Sequence, residues 1–230
     1  MRILLLLAVV LPLAAQSPVA TLNRLYREYY EFLVRESPEL ATSVGRHESN
    51  DRWTDYSPAA AQRRDKAYQD FLARARRFKT ENLPAAERMN HRLFLREVED
   101  RVGRQDLINY FDPINHFFGP HLDVFSTMPI MPAATVKDYE NQIARIEALP
   151  AWVDGIIAAG NEGLKRRLQA PRLTVDLMVK SLESQASADA AKTPLLEAFR
   201  SMPDSIPAAE QARLKTRAEA AYKNALQPAW

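Results

Sequence analysis

Apolar residues recur every three to four positions along most of the chain, with charged residues between them. From Leu22 to Glu36 the series Leu22, Leu25, Tyr26, Tyr29, Tyr30, Phe32 and Leu33 predicts an amphipathic helix with an aromatic face. Ser37-Pro38 interrupts it, a short helical turn follows to Val44, and Gly45 to Tyr56 is polar and turn-like. Ser57-Pro58 is a helix start, with Ser as N-cap and Pro at the first helical position. That helix is expected to run to Phe78, and another from Pro84 to Val102, with a last turn near Ile108. Further helices are expected from Thr135 to Leu149, Pro150 to Leu168, Pro171 to Ser187, Pro194 to Ser201 and Pro207 to Leu226. The stretch from Tyr110 to Ala134 differs: it holds Pro113, Pro120, Pro129 and Pro132 among five aromatic residues and reads as a packed loop. No strand-like alternation and no internal repeat appears. The pattern predicts an all-α fold, a multi-helix array of about seven to nine helices with one long aromatic- and proline-rich loop near 110–134.

Composition narrows this reading. Six glycines in 230 residues fit helices better than a turn-rich β-sandwich. The absence of cysteine excludes a disulfide framework, a thiol nucleophile and every cysteine-based metal site. The net charge is +2, and the basic pairs Arg63-Arg64, Arg76-Arg77 and Arg166-Arg167 lie far apart with acids nearby, so no nucleic-acid partner is expected. At the N-terminus Arg2 precedes an apolar run from Ile3 to Ala15, and Gln16-Ser17 follow small residues, the order of a secretory signal. The run is shorter than the ~20 residues a membrane-spanning helix needs. A signal peptide over 1–15 and a mature helical domain over 16–230 are therefore expected. The mature chain would be periplasmic or extracellular, with no membrane span after signal removal and no cysteine to carry a lipid.

Candidate chemistry is sparse. His47-Glu48-Ser49-Asn50-Asp51 has the form HExxH with Asp in place of the second His, but its turn-rich surroundings would not stack ligands on one helical face. His116 and His121 flank Gly119-Pro120, could converge in a loop with Asp123, or could simply bond loop backbone. His91 reads as a surface or partly buried helix residue, Glu97 and Asp100 as members of a solvated ion-pair face, and Tyr26, Tyr29 and Tyr30 as core packing. There is no GxSxG, GxxxxGK[ST] or GxGxxG motif.

An ordered set of segments resembles the N-terminal part of a bacterial family catalogued as domain of unknown function 885. The set comprises Ser37-Pro38-Glu39-Leu40-Ala41-Thr42 with Gly45, Asp51 and Asp55 leading into Ser57, and Gly119-Pro120. It continues with Tyr139 through Ala144-Arg145-Ile146 to Leu149-Pro150, then Gly160, Gly163 and Pro171. The resemblance implies an exported or lipid-anchored helical protein similar to zinc metallopeptidases, in proteins more than twice this length. The metal motif of that family lies in the C-terminal half, so no catalytic or metal residue carries over to this chain, and zinc is implied for the full-length protein alone.

Two functional readings follow. In the first, the chain is the N-terminal fragment of an exported zinc-peptidase-like hydrolase, inactive alone, whose partner is its own missing C-terminal half and whose full form takes a peptide substrate. Tyr110 to Pro132 would lie nearest the cleft, with His116, His121 and Asp123 as substrate contacts. In the second, the chain is a complete, non-catalytic exported helical protein that binds a partner or cell-wall ligand. A fragment should leave a broad apolar surface on its last helices; a finished domain should pack its last helix on its own core.

Overall fold

The computed structural model describes residues 17–81, 83–105, 107, 114, 119–187 and 189–230. All regular structure among them is helical: α1 Pro18–Glu36, α2 Pro38–Ser43, α3 Pro58–Arg76, α4 Ala85–Gly103, α5 Pro120–Thr127, α6 Val136–Glu147, α7 Leu149–Lys165, α8 Arg172–Ala186 and α9 Ala208–Ala221. Short 3-10 turns cover Met128–Ile130 and Pro194–Phe199, and a π-helical turn over Tyr222–Leu226 extends α9 into a last turn, Gln227–Ala229. The segment 1–15, expected to be a signal peptide, lies outside the described residues.

A hydroxyl-proline pair starts four of these elements. Ser17, Ser37, Ser57 and Thr193 each precede a proline, and each hydroxyl accepts a backbone N–H from the first turn. Proline supplies the helical φ and lacks an N–H that would have no partner there. The same chemistry separates α1 from α2, because Pro38 drives Ser37 out of the helical region, to φ −129° and ψ 88°. Helix α6 starts on a reciprocal cap: Thr135 N–H donates to Asp138 Oδ2 at 2.8 Å and Asp138 N–H to Thr135 Oγ1 at 3.3 Å.

The expected 110–134 loop is corrected over its second half, where Pro120–Thr127 is helix α5. Gly119 enters it at φ 139°, in the region that favours glycine, and Pro120 occupies the first turn. The proline between His116 and His121 therefore begins a helix rather than preventing one.

Two buried clusters hold the chain together. The first joins α1, α3 and α4 around Tyr29, whose ring meets Phe71 and Phe94 edge-on at 5.2 Å each, while its hydroxyl donates to Glu97 Oε1. Tyr26 packs on Phe94, as expected of the aromatic stripe, whereas Tyr30 stays exposed. His91 is buried, not superficial: its Nε2 bonds the Ala75 carbonyl at 2.9 Å and ties α4 to the end of α3. The expected ion-pair face on α4 is present, with Arg101–Glu97 at 2.8 Å, Arg96–Asp100 at 3.2 Å and Arg76–Glu99 at 2.9 Å.

The second cluster gathers α5, α6, α7 and α9 around Tyr139, Ile143, Ile146, Leu149, Leu214 and Leu226. Helix α7 runs against the start of α3 at Gly155, where a Cβ would stand 3.2 Å from Ser57 N. Helix α8 differs from the rest: none of its residues is buried. Among the described residues no helix is long and apolar enough to cross a membrane.

This contrast sets an expectation. Leu214→Ala, at a fully buried position on α9, should lower unfolding free energy by about 2–5 kcal/mol. Leu173→Ala, on α8 and 71% exposed, should change it by no more than ~0.5 kcal/mol. Urea denaturation of the two variants checks both.

Candidate functional site around Arg145 and helix α5

Arg145 sits in the last turn of α6 and is 0% exposed. Its guanidinium donates from Nε to Arg52 O at 2.8 Å, from Nη1 to Thr42 Oγ1 at 3.0 Å, and from Nη2 to Pro38 O at 3.1 Å and Ser49 O at 3.4 Å. It also lies 4.7 Å over the Trp53 ring, and Trp53 Nε1 donates back to the Arg145 carbonyl at 2.7 Å. The acceptors are backbone carbonyls of α2 and of the irregular segment 44–57, which has no helix to satisfy them. Burial pushes the guanidinium down to about 10, with the charges of Glu39 and Asp51 acting the other way, so it is a cation at neutral pH.

The hub orders its neighbours. Thr42 Oγ1 lies 2.8 Å from Asn50 Oδ1, and the Asn50 amide donates to His47 Nδ1 at 3.2 Å. The segment His47 to Asp51 is accordingly a turn fixed by buried Asn50, with His47 and Glu48 exposed, in line with its reading as a structural loop. Glu39, in the first turn of α2, accepts from Thr54 N at 3.1 Å and Thr54 Oγ1 at 2.6 Å. Burial, and then the charge of Glu39, raise the Tyr56 hydroxyl and the Asp123 carboxyl above their ordinary ranges. Asp123 thus shares a patch with Glu39 and Tyr56 where α5 packs on α2.

Of the three expected substrate contacts, His116 lies outside the described residues. His121 and Asp123 are two positions apart on α5 and point to different sides: Asp123 is exposed, whereas His121 is 2% exposed on the face of Val124 and Met128. Among the described residues neither ring nitrogen of His121 has a hydrogen-bond partner, and burial lowers its pKa, leaving a neutral imidazole. His47 bonds Asn50 and His91 bonds the Ala75 carbonyl. Among the described residues no group of three or more His, Asp or Glu could hold a metal ion. The residue that sequence reading missed is Arg145. The signal available was weak: Gln142 and Arg145 stand beside Ile143 and Ile146 in a helix that is otherwise rich in charge.

Arg145→Met should lower stability by about 3–5 kcal/mol, since four acceptors lose their donors in a buried place. Arg145→Lys should recover little of it, because an ammonium cannot reach acceptors spread across a planar fork. Thermal and urea unfolding measure both. His121 generates a pH expectation. Its folded pKa lies below the unfolded value, so the unfolded chain takes up the proton first. The stability it contributes is full above about pH 6.5 and falls away as pH drops through the folded pKa. Between pH 7.5 and 5, His121→Leu should therefore lose less stability than the parent protein; equal losses in parallel urea series would contradict this.

Comparison with known proteins places this geometry. The crystal structure titled "the putative lipoprotein from Colwellia psychrerythraea" matches the fold with a TM-score of 0.85 at 19% identity. The match covers 94% of this chain and 40% of that one, so the chain spans well under half of its neighbour's length. No curated protein matches the sequence. A family model described as "Bacterial protein of unknown function (DUF885)" matches residues 38–230. That span contains every partner of the Arg145 guanidinium, together with α5. The chain belongs to the bacterial DUF885 family.

Proposed function

We propose that this chain is the helical N-terminal portion of an exported zinc-dependent hydrolase of the peptidase type, inactive by itself. The observation that carries the reading is the length relation: a fold matched over 94% of this chain accounts for 40% of its structural neighbour. Export is supported by the signal-like order of Arg2, Ile3–Ala15 and Gln16-Ser17, and by the description of that neighbour as a lipoprotein. Zinc and the peptide substrate come from the family resemblance and belong to the longer protein.

In this reading the chain supplies a wall of the cleft. The Arg145 hub fixes α2 and the 44–57 segment, and α5 seats on α2 with Asp123 outward beside Glu39 and Tyr56. Asp123 is the substrate contact that meets solvent; His121 supports α5 from beneath. A second reading, a complete exported binding or scaffold protein, is favoured by one feature. The final helix packs on its own core through Leu214, Ala218 and Leu226, and Trp230 stacks on Trp152 at 6.1 Å. The apolar surface expected of a fragment lies on α7 and α8 instead.

The purified 230-residue chain with added zinc should not cleave peptides, whereas the polypeptide encoded through the gene's own stop codon should. In that longer polypeptide Asp123→Asn should lower kcat/KM about tenfold or more without changing the melting temperature. Zinc-dependent cleavage by the 230-residue chain, or a stop codon directly after Trp230, would overturn the reading. The stop codon would leave the binding protein in its place.

A further inference from the structure

We infer that the outer face formed by α7 and α8 is the surface on which the remainder of the longer protein docks, an inference that rests on the function proposed above. Helix α8 spans Arg172–Ala186 without one buried residue, yet carries Leu173, Val175, Leu177, Met178, Val179 and Leu182. Leu173 is 71% exposed, and Leu177, one turn on along the same face, is exposed beside it. On α7, Ile157 and Leu164 are also exposed and stand seven residues apart, so they share one helical face. Leu164 and Leu173 flank the turn that joins the two helices. Single exposed apolar residues are ordinary, but this many on two consecutive helices mark an interaction surface.

The position of the chain's last turn selects the occupant. Trp230 Nε1 donates to Gln185 Oε1 at 2.7 Å, and Gln227 Nε2 donates to the Ala186 carbonyl at 2.8 Å. Both acceptors belong to the C-terminal end of α8. The indole of Trp230 lies flat on Trp152 of α7, 15° from parallel. Polypeptide continuing beyond residue 230 thereby starts beside the C-terminal end of α8 and the first turn of α7, at the opposite end of α8 from Leu173, and runs back along the uncovered face to reach it. The structural neighbour has such additional chain, since this fold covers 40% of it. Covering the face with the same polypeptide needs no second binding event, because the tether holds the partner at high local concentration.

The chain has no cysteine, so single introduced thiols report one place each. Leu173→Cys and Leu177→Cys, with Gln69→Cys on the exposed side of α3 as reference, would be labelled with a maleimide in two proteins. One is the 230-residue chain and the other is the polypeptide encoded through the gene's own stop codon. The expected result is labelling at 173 and 177 that is at least about tenfold slower in the longer polypeptide, with the reference rate unchanged. Equal rates in a longer polypeptide that hydrolyses peptide would overturn the docking inference and leave the functional reading intact. Protection at 173 and 177 that rises with concentration of the 230-residue chain would name a second copy as the occupant and overturn it too. A stop codon directly after Trp230 would remove both.

Discussion

The Arg145 guanidinium is the constraint on which the rest of the arrangement depends. A buried cation with no carboxylate in direct contact is unfavourable unless its hydrogen-bonding capacity is filled. Here it is filled by Arg52, Ser49 and Pro38 carbonyls and the Thr42 hydroxyl. Two of these oxygens belong to α2 and two, Ser49 O and Arg52 O, to the 44–57 segment that has no regular structure of its own, so each side solves the other's problem. Helix α6 repeats the device on its other edge, where Gln142 donates to Pro132 O at 2.9 Å and the Tyr139 hydroxyl to Ala133 O at 3.0 Å. One helix therefore substitutes side-chain donors for the backbone ladder that two irregular segments lack. Those segments in turn frame α5, one through its packing on α2 and the other by following it in the chain.

The hub also extends through aromatic contacts. Arg145 lies over Trp53, Trp53 packs on Trp152 at 5.8 Å, and Trp152 stacks on Trp230. All three tryptophans of the chain stand in this row. The row begins in the 44–57 segment, crosses α7 and ends where Trp230 bonds α8. A change at Arg145 would be felt first at α2 and next along this line, whereas the α1–α3–α4 cluster has its own aromatic centre at Tyr29.

Much of this was legible. The Ser57-Pro58 start, the Thr135 cap, the aromatic stripe of α1 and the ion-pair face of α4 are local properties, and local chemistry decided them. The failures have a common cause. Pro120 read as a breaker because its role depends on whether the preceding residue can turn the chain; Gly119, at φ 139°, can. His91 read as surface or partly buried, short of its full burial, because its partner, the Ala75 carbonyl, sits on another helix. Arg145 drew no reading beyond its place in the family resemblance, because a long-range acceptor set cannot be inferred from spacing. Its acceptors lie 93 to 107 residues away in sequence. The candidate site was legible only in part: α5 is where Asp123 meets solvent, but helical geometry separates it from His121.

Helix α8 shows what the cores do not explain. A fifteen-residue helix is marginal in water on propensity alone, and most helical stability in proteins comes from burying one face. Every other long helix here does so. Helix α8 has apolar side chains in number, half-buried at Val175, Met178 and Leu182 and exposed at Leu173 and Leu177, with its C-terminal end pinned by Gln227 and Trp230. The pinned end fixes where the helix is; it does not remove Leu173 and Leu177 from water. Burying Leu173 and Leu177 would remove apolar surface from water and so would add to the stability of a helix that lacks a buried face.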